Sequence, residues 1–122
     1  MEALREYNDG MRWARVEWMV PHVPQEDRDR LLASRLESED LKVTGYDLTS
    51  VRLKDGDKAV VVVRVDWFHL RQARLHTSVI EQTWARDGQS WQVVKQRLTK
   101  GPPFPLIRLD AERQMGEDRS ST

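Results

Sequence analysis

Apolar residues in the first twenty positions recur at helical spacing. Leu4, Tyr7, Met11, Ala14 and Trp18 share one face, and Trp13, Val16 and Val20 widen it. The spacing predicts a helix over 2–20. Gly10 is its weak point, costing about 1 kcal/mol relative to alanine in a helix interior. Either the helix runs through Gly10, which then allows close packing, or Asn8 or Asp9 caps a shorter helix that begins there. The continuous helix is preferred, with Pro21 ending it. Pro24 suits the first turn of a second helix over 25–36, and Gln25, Glu26 and Asp27 place polar and acidic groups near its positive end. Its apolar face is thin: Leu31, Leu32 and Leu36.

From Leu41 the period changes to two. Four strands are predicted, over 41–53, 58–70, 74–86 and 90–98. Asp55-Gly56 and Asp87-Gly88 supply the positive φ angles of tight hairpin turns. The second strand, KAVVVVRVDWFHL, is too short and too β-branched for a helix. Gly101-Pro102-Pro103 stops the sheet, because proline cannot donate to a ladder. The fold class is therefore α+β, with N-terminal helices packed on a curved four-stranded antiparallel meander sheet. Residues 1–109 form one domain, 104–109 dock as an extended segment, and 110–122 are a polar tail expected to be disordered.

A two-residue turn at Gln72-Ala73 registers the middle strands. It puts His69 opposite His76, Trp67 opposite Ser78, Arg64 opposite Glu81 and Val61 opposite Trp84. One face then carries Val61, Val63, Val65, Trp67 and His69 with His76, Ser78, Ile80, Gln82 and Trp84. This aromatic face should receive the first helix. The other carries Val60, Val62, Phe68, Leu70, Leu75 and Val79 with Arg64, Asp66 and Glu81, and should be a self-association surface unless the 104–109 segment covers it.

Composition narrows the function. Hydrophobic residues are 39% and charged residues 33%, a mixture that folds. Twenty basic residues balance twenty acidic ones, so the counterion-displacing excess of a nucleic-acid binder is missing and no nucleic-acid partner is expected. There is no cysteine, which removes disulfides, thiolate nucleophiles and cysteine zinc sites. No apolar run approaches the roughly 18 residues of a transmembrane segment. The N-terminus, MEALREYNDG, has no hydrophobic signal core, which leaves open a longer precursor.

His69 and His76 are the best chemical candidates, since two adjacent imidazoles can share a proton or a metal. The commoner arrangement is two half-exposed histidines near a turn. A metal site needs a third ligand, and His22 is the one other histidine, so no metal and no cofactor are expected. The five tryptophans suit ligand stacking, but core and dimer packing is the more frequent use of such side chains. Gln82, buried on the aromatic face, is either a structural hydrogen bonder or a reader of a ligand.

A long amphipathic helix, a short second helix and a curled antiparallel sheet resemble the nuclear transport factor 2-like (cystatin-like cone) superfamily. Tyr7-x3-Met11-Arg12-Trp13 with Val20-Pro21 resembles the opening of small bacterial single-domain members of unknown function. Glu81-Gln82-Thr83-Trp84 with Asp87-Gly88 and Trp91 resembles their closing hairpin. The resemblance covers residues 3–98. It implies a pocket between helix and sheet, lined here by Tyr7, Met11, Trp67, His69, His76, Gln82 and Trp84, and a homodimer formed through the sheet. It does not fix an activity. Steroid-isomerase-like relatives use buried carboxylates, and Asp66 and Glu81 fall on the opposite face here. The expected function is a non-enzymatic binding or assembly domain, self-associating and able to take a small apolar ligand or a protein partner. The alternative is a small-molecule enzyme of isomerase, dehydratase or cyclase type. Small relatives that look like exported lipoproteins incline the localisation to the bacterial cell envelope, with the cytoplasm as the alternative.

Overall fold

The structure is a computed structural model, and it describes residues 2–107. The tail expected at 110–122, and residues 108–109 of the docking segment, lie outside the described residues. The chain is α+β. Three helices, α1 (Glu2–Trp13), α2 (Val16–Met19) and α3 (Gln25–Glu37), precede the strands β1 (Leu41–Lys54), β2 (Lys58–His69), β3 (His76–Asp87) and β4 (Ser90–Lys100). The strands form a curved antiparallel sheet in the order β1-β2-β3-β4, the topology of a meander. No helix among the described residues is long and apolar enough to cross a membrane.

The first helix stops at Trp13, well short of residue 20. Ala14 adopts a left-handed φ of 58°, and the Arg15 N–H returns to the Gly10 carbonyl at 2.8 Å. This six-to-one bond is a Schellman stop, which usually places glycine where Ala14 stands. The chain doubles back, and α2 lies over Gly10. A Cβ there would fall 2.7 Å from Met19 Cγ and 2.8 Å from the Arg15 carbonyl. Glycine therefore allows close packing at this point, but between two helices rather than within one. Met19 is buried by this fold-back, while Trp13 remains 58% exposed and Trp18 40%. Ala14→Gly removes the Cβ penalty of the left-handed position and should raise stability by about 0.5–1 kcal/mol. Urea unfolding reads this directly, and a loss of stability would contradict the stop geometry.

The sheet's two faces are those the alternation predicts, but the β2–β3 register differs by two residues. Val65 pairs with Ser78, Val63 with Ile80, Val61 with Gln82 and Trp67 with His76. The connection is a six-residue loop, 70–75, and not a two-residue turn. Leu70 has left the ladder and donates its N–H to the Asp40 carbonyl. A slip of two preserves every facing and changes every partner. His69 and His76 are not opposite one another. Arg64 is not paired with Glu81: it bonds Asp47 on β1, and Glu81 accepts from Arg97 on β4 at 3.2 Å.

The core lies on the helix side of the sheet. Leu4, Tyr7 and Met11 of α1 pack with Met19, Val23 and Leu31 over Val61, Val63, Val65, Trp67, Ile80 and Trp84. The C-terminal segment closes the same side. Gly101, with φ 87°, crosses so near β3 that a Cβ would meet the Thr77 carbonyl at 2.3 Å. Phe104 then reaches full burial against Trp67, with ring centroids 5.7 Å apart. Phe104 and Leu106 thus cover the aromatic face, while on the outer face Val60 is 9% exposed and Val62, Phe68 and Val79 are half-buried.

Two bulges shape β1. Thr44 and Thr49 are skipped by the β1–β2 register, and each hydroxyl donates back to β2, to the Asp66 and Val62 carbonyls. Each bulge reverses the facing of the residues beyond it. Leu41, Val43, Tyr46, Leu48, Val51 and Leu53 consequently all fall on the helix-side face, though their numbering does not alternate.

Candidate functional site

The seven pocket candidates separate into two clusters. Tyr7, Met11, Gln82 and Trp84 meet in the middle of the core. Trp67, His69 and His76 sit at the end of the sheet where β2 runs into the 70–75 loop.

The central cluster is an amide network. Gln82 Nε2 donates to Asn8 Oδ1 at 3.0 Å and to Gln96 Oε1 at 3.2 Å. Gln82 Oε1 accepts from Trp84 Nε1 at 3.1 Å and from Asn8 Nδ2 at 3.3 Å. Asn8 Nδ2 also reaches the Leu4 carbonyl, and Gln96 Nε2 donates to the Tyr7 hydroxyl at 2.8 Å. Tyr7 stands edge-on to Trp84, with centroids 5.7 Å apart. Each of these five residues is buried. Buried amides are costly unless hydrogen-bonded, and these satisfy one another across α1, β3 and β4. Where the family resemblance implies a pocket, these side chains are bonded to each other. Both ends of the Gln82 amide are hydrogen-bonded within the core. Asn8 and Gln96 were not among the candidates, although Asn8 lies four residues after Leu4 on the helix's apolar stripe.

At the sheet end, Trp67 organises the cluster. His76 lies over its ring at 4.6 Å and His69 meets its edge at 5.4 Å. Trp67 Nε1 donates to Ser78 Oγ at 3.0 Å, and Ser78 donates to the Pro102 carbonyl at 2.6 Å, which pins the returning C-terminal segment. The two imidazoles both pack on one indole. His69 Nδ1 lies 3.4 Å from Asp40 Oδ2, at ion-pair range but without hydrogen-bond alignment. His22 packs near Trp84 at the opposite end of the sheet, with Nε2 3.4 Å from Glu6 Oε1. Among the described residues no three His, Asp or Glu side chains are grouped to hold a metal.

One polar pair escaped the sequence reading. Tyr46 on β1 donates to Asp9 Oδ1 on α1 at 2.5 Å. Burial, and then the Asp9 carboxylate, push the phenol well above its ordinary range, so it stays a protonated donor. Asp9 also borders an open surface groove of about 740 Å³ with Glu2, Arg5, Glu6 and Trp18. The pair clamps α1 to β1, together with a 3.4 Å bond from Arg12 to the Val43 carbonyl.

No protein-family model matches the chain, and no curated protein matches it. Among solved structures it is similar to the solution structure of an SEC-C motif containing protein from Rhodopseudomonas palustris. The TM-score is 0.67 at 11% identity, over 80% of this chain and 77% of that one. At that identity the likeness concerns the fold alone.

Proposed function

We propose that this chain is a nuclear transport factor 2-like domain used for binding or assembly rather than catalysis, and that it pairs with a second copy through the outer face of the sheet. The observation carrying this reading is the closed Asn8–Gln82–Gln96 network. An enzyme of the alternative type needs titratable groups converging on an open space. Here the Asn8, Gln82 and Gln96 amides are bonded to one another, and Asp66 and Glu81 lie on the outer face, bonded to Thr77 and Arg97.

Val60, Val62, Phe68 and Val79 share the outer face, and among the described residues the helices, Phe104 and Leu106 pack on the other side. The Asp47–Arg64 pair lies between Val62 and Phe68 on this face and the Glu81–Arg97 pair beside Val62, which suits a partly polar interface that fixes orientation by charge. A two-fold axis brings the same stripe from each copy together. Light scattering should give the full chain a mass of at least twice 14.3 kDa at micromolar concentration. Phe68→Glu should bring it to the single-chain value, since it sets two carboxylates into the apolar stripe. A monomeric wild type, or an unchanged mass for Phe68→Glu, overturns the reading.

A further inference from the structure

The sheet has two edges, and they differ. An edge strand presents a row of unpaired backbone N–H and C=O groups that invites another strand, and proteins commonly guard it with charge. The β4 edge carries Lys95, Arg97 and Lys100, which would repel a copy of themselves. The β1 edge is fourteen residues long, carries Asp47 as well as Lys42, Arg52 and Lys54, and exposes Leu48 (37%), Val51 (51%) and Leu53 (70%). We propose that β1 pairs antiparallel with β1 of a second copy, about a two-fold axis at Ser50, to make a continuous eight-stranded sheet. This rests on the self-association read above and adds to it a second, edge-on contact.

The pattern of β1 selects the partner. A two-fold axis normal to a sheet places face-one residues beside face-one residues, so paired positions must share a face. A regular strand keeps that rule for even spacings only. The Thr49 bulge shifts the facing by one, so Leu48 and Val51 share the helix-side face although three residues apart. Centred on Ser50, Leu48 then lies beside the partner's Val51, and Tyr46 beside the partner's Leu53. On the outer face, Asp47 meets the partner's Arg52. Apolar meets apolar at two positions and acid meets base at a third, each twice over by symmetry, with Ser50 beside Ser50 on the axis. Arg52 is exposed and has no ion-pair partner among the described residues. Asp47 holds Arg64 through one oxygen, Oδ2, and keeps the other for a second guanidinium. A foreign strand would need this same spacing of charge, and a second copy has it by construction.

A single strand pair covers less than the roughly 1,600 Å² of a standard interface, so covalent trapping reads it better than mass. The chain has no cysteine, which makes trapping clean. Cross-strand Cα atoms stand about 4.5–5.5 Å apart, within disulfide reach. The test places Ser50→Cys in the Phe68→Glu chain, so that the outer-face contact cannot carry it, and follows dimer formation under oxidised glutathione. Val94→Cys, exposed on the opposite edge, is the control. Ser50→Cys should cross-link about ten-fold faster than the control. Adding Arg52→Asp should slow it about ten-fold, because a carboxylate then stands against the partner's Asp47. Equal rates at the two edges, or a rate indifferent to Arg52→Asp, overturn the edge pairing. Failure of the outer-face reading would show separately, in the scattering of Phe68→Glu, with cross-linking retained.

Discussion

Trp67→Ala is expected to destabilise the domain by about 3–5 kcal/mol. The indole is 3% exposed and touches three other rings, those of His69, His76 and Phe104. Its Nε1 is the first link of a chain through Ser78 to the Pro102 carbonyl. Truncation therefore opens a cavity under Phe104, removes a donor from buried Ser78 and loosens the segment that closes the core. The cavity dominates, because its cost grows with the volume left unfilled, whereas one buried hydrogen bond contributes only about 1 kcal/mol. Trp67→Phe separates the two, since it keeps much of the volume and loses the donor. It should cost less than half as much as alanine. Thermal and urea unfolding give both numbers, and a Trp67→Ala melting point within a degree or two of wild type would mean that this face is not the core.

The strands were legible because turn chemistry and alternation agree there. The readings 41–53, 58–70, 74–86 and 90–98 became Leu41–Lys54, Lys58–His69, His76–Asp87 and Ser90–Lys100. The faces followed from parity, which survives a two-residue slip. The register did not, because it rests on a two-residue turn at Gln72-Ala73 where the chain makes a six-residue loop, and the Arg64–Glu81 match that favoured it is not formed. Both residues have better partners on the outer strands, Asp47 and Arg97. A three-strand neighbourhood decides such pairs, and two strands taken alone cannot. The first helix was read too long for a different reason. Its apolar stripe continues past Trp13 into α2 with nearly unbroken period, and the break sits at an alanine in a conformation that sequence normally marks with glycine. The β1 bulges were equally silent. Threonine is an ordinary strand residue, and nothing local distinguishes Thr44 and Thr49 from their neighbours.

Legibility at the candidate site stopped at burial. The facing rule put Tyr7, Gln82 and Trp84 inside, but it could not say whether their polar atoms point at a ligand or at each other. That depends on Asn8 and Gln96, which come from α1 and β4 and meet Gln82 only in the folded chain. The histidines show the same limit. Their proximity follows from the sheet, but their shared packing on Trp67 follows from a register that the loop at 70–75 sets.

Gln82→Leu should be about as damaging as the loss of Trp67, by another route. Leucine fills nearly the same volume, so little cavity forms. What it leaves is a set of buried groups without partners: Trp84 Nε1, Asn8 Oδ1 and the Gln96 Oε1 that had accepted from Gln82. Each costs about 1–3 kcal/mol when unpaired, and local repacking recovers part of the sum, so about 3–5 kcal/mol is expected. Asn8→Leu alone should also destabilise, since each end of the Gln82 amide then loses one of its two partners. The double variant Asn8→Leu with Gln82→Leu should cost clearly less than the two singles added, because groups that would miss each other have both gone. A coupling of about 1–3 kcal/mol in that cycle identifies the amides as one closed unit. If the two losses instead add, the amides act independently, and the interior polar atoms are then available to something that enters the core.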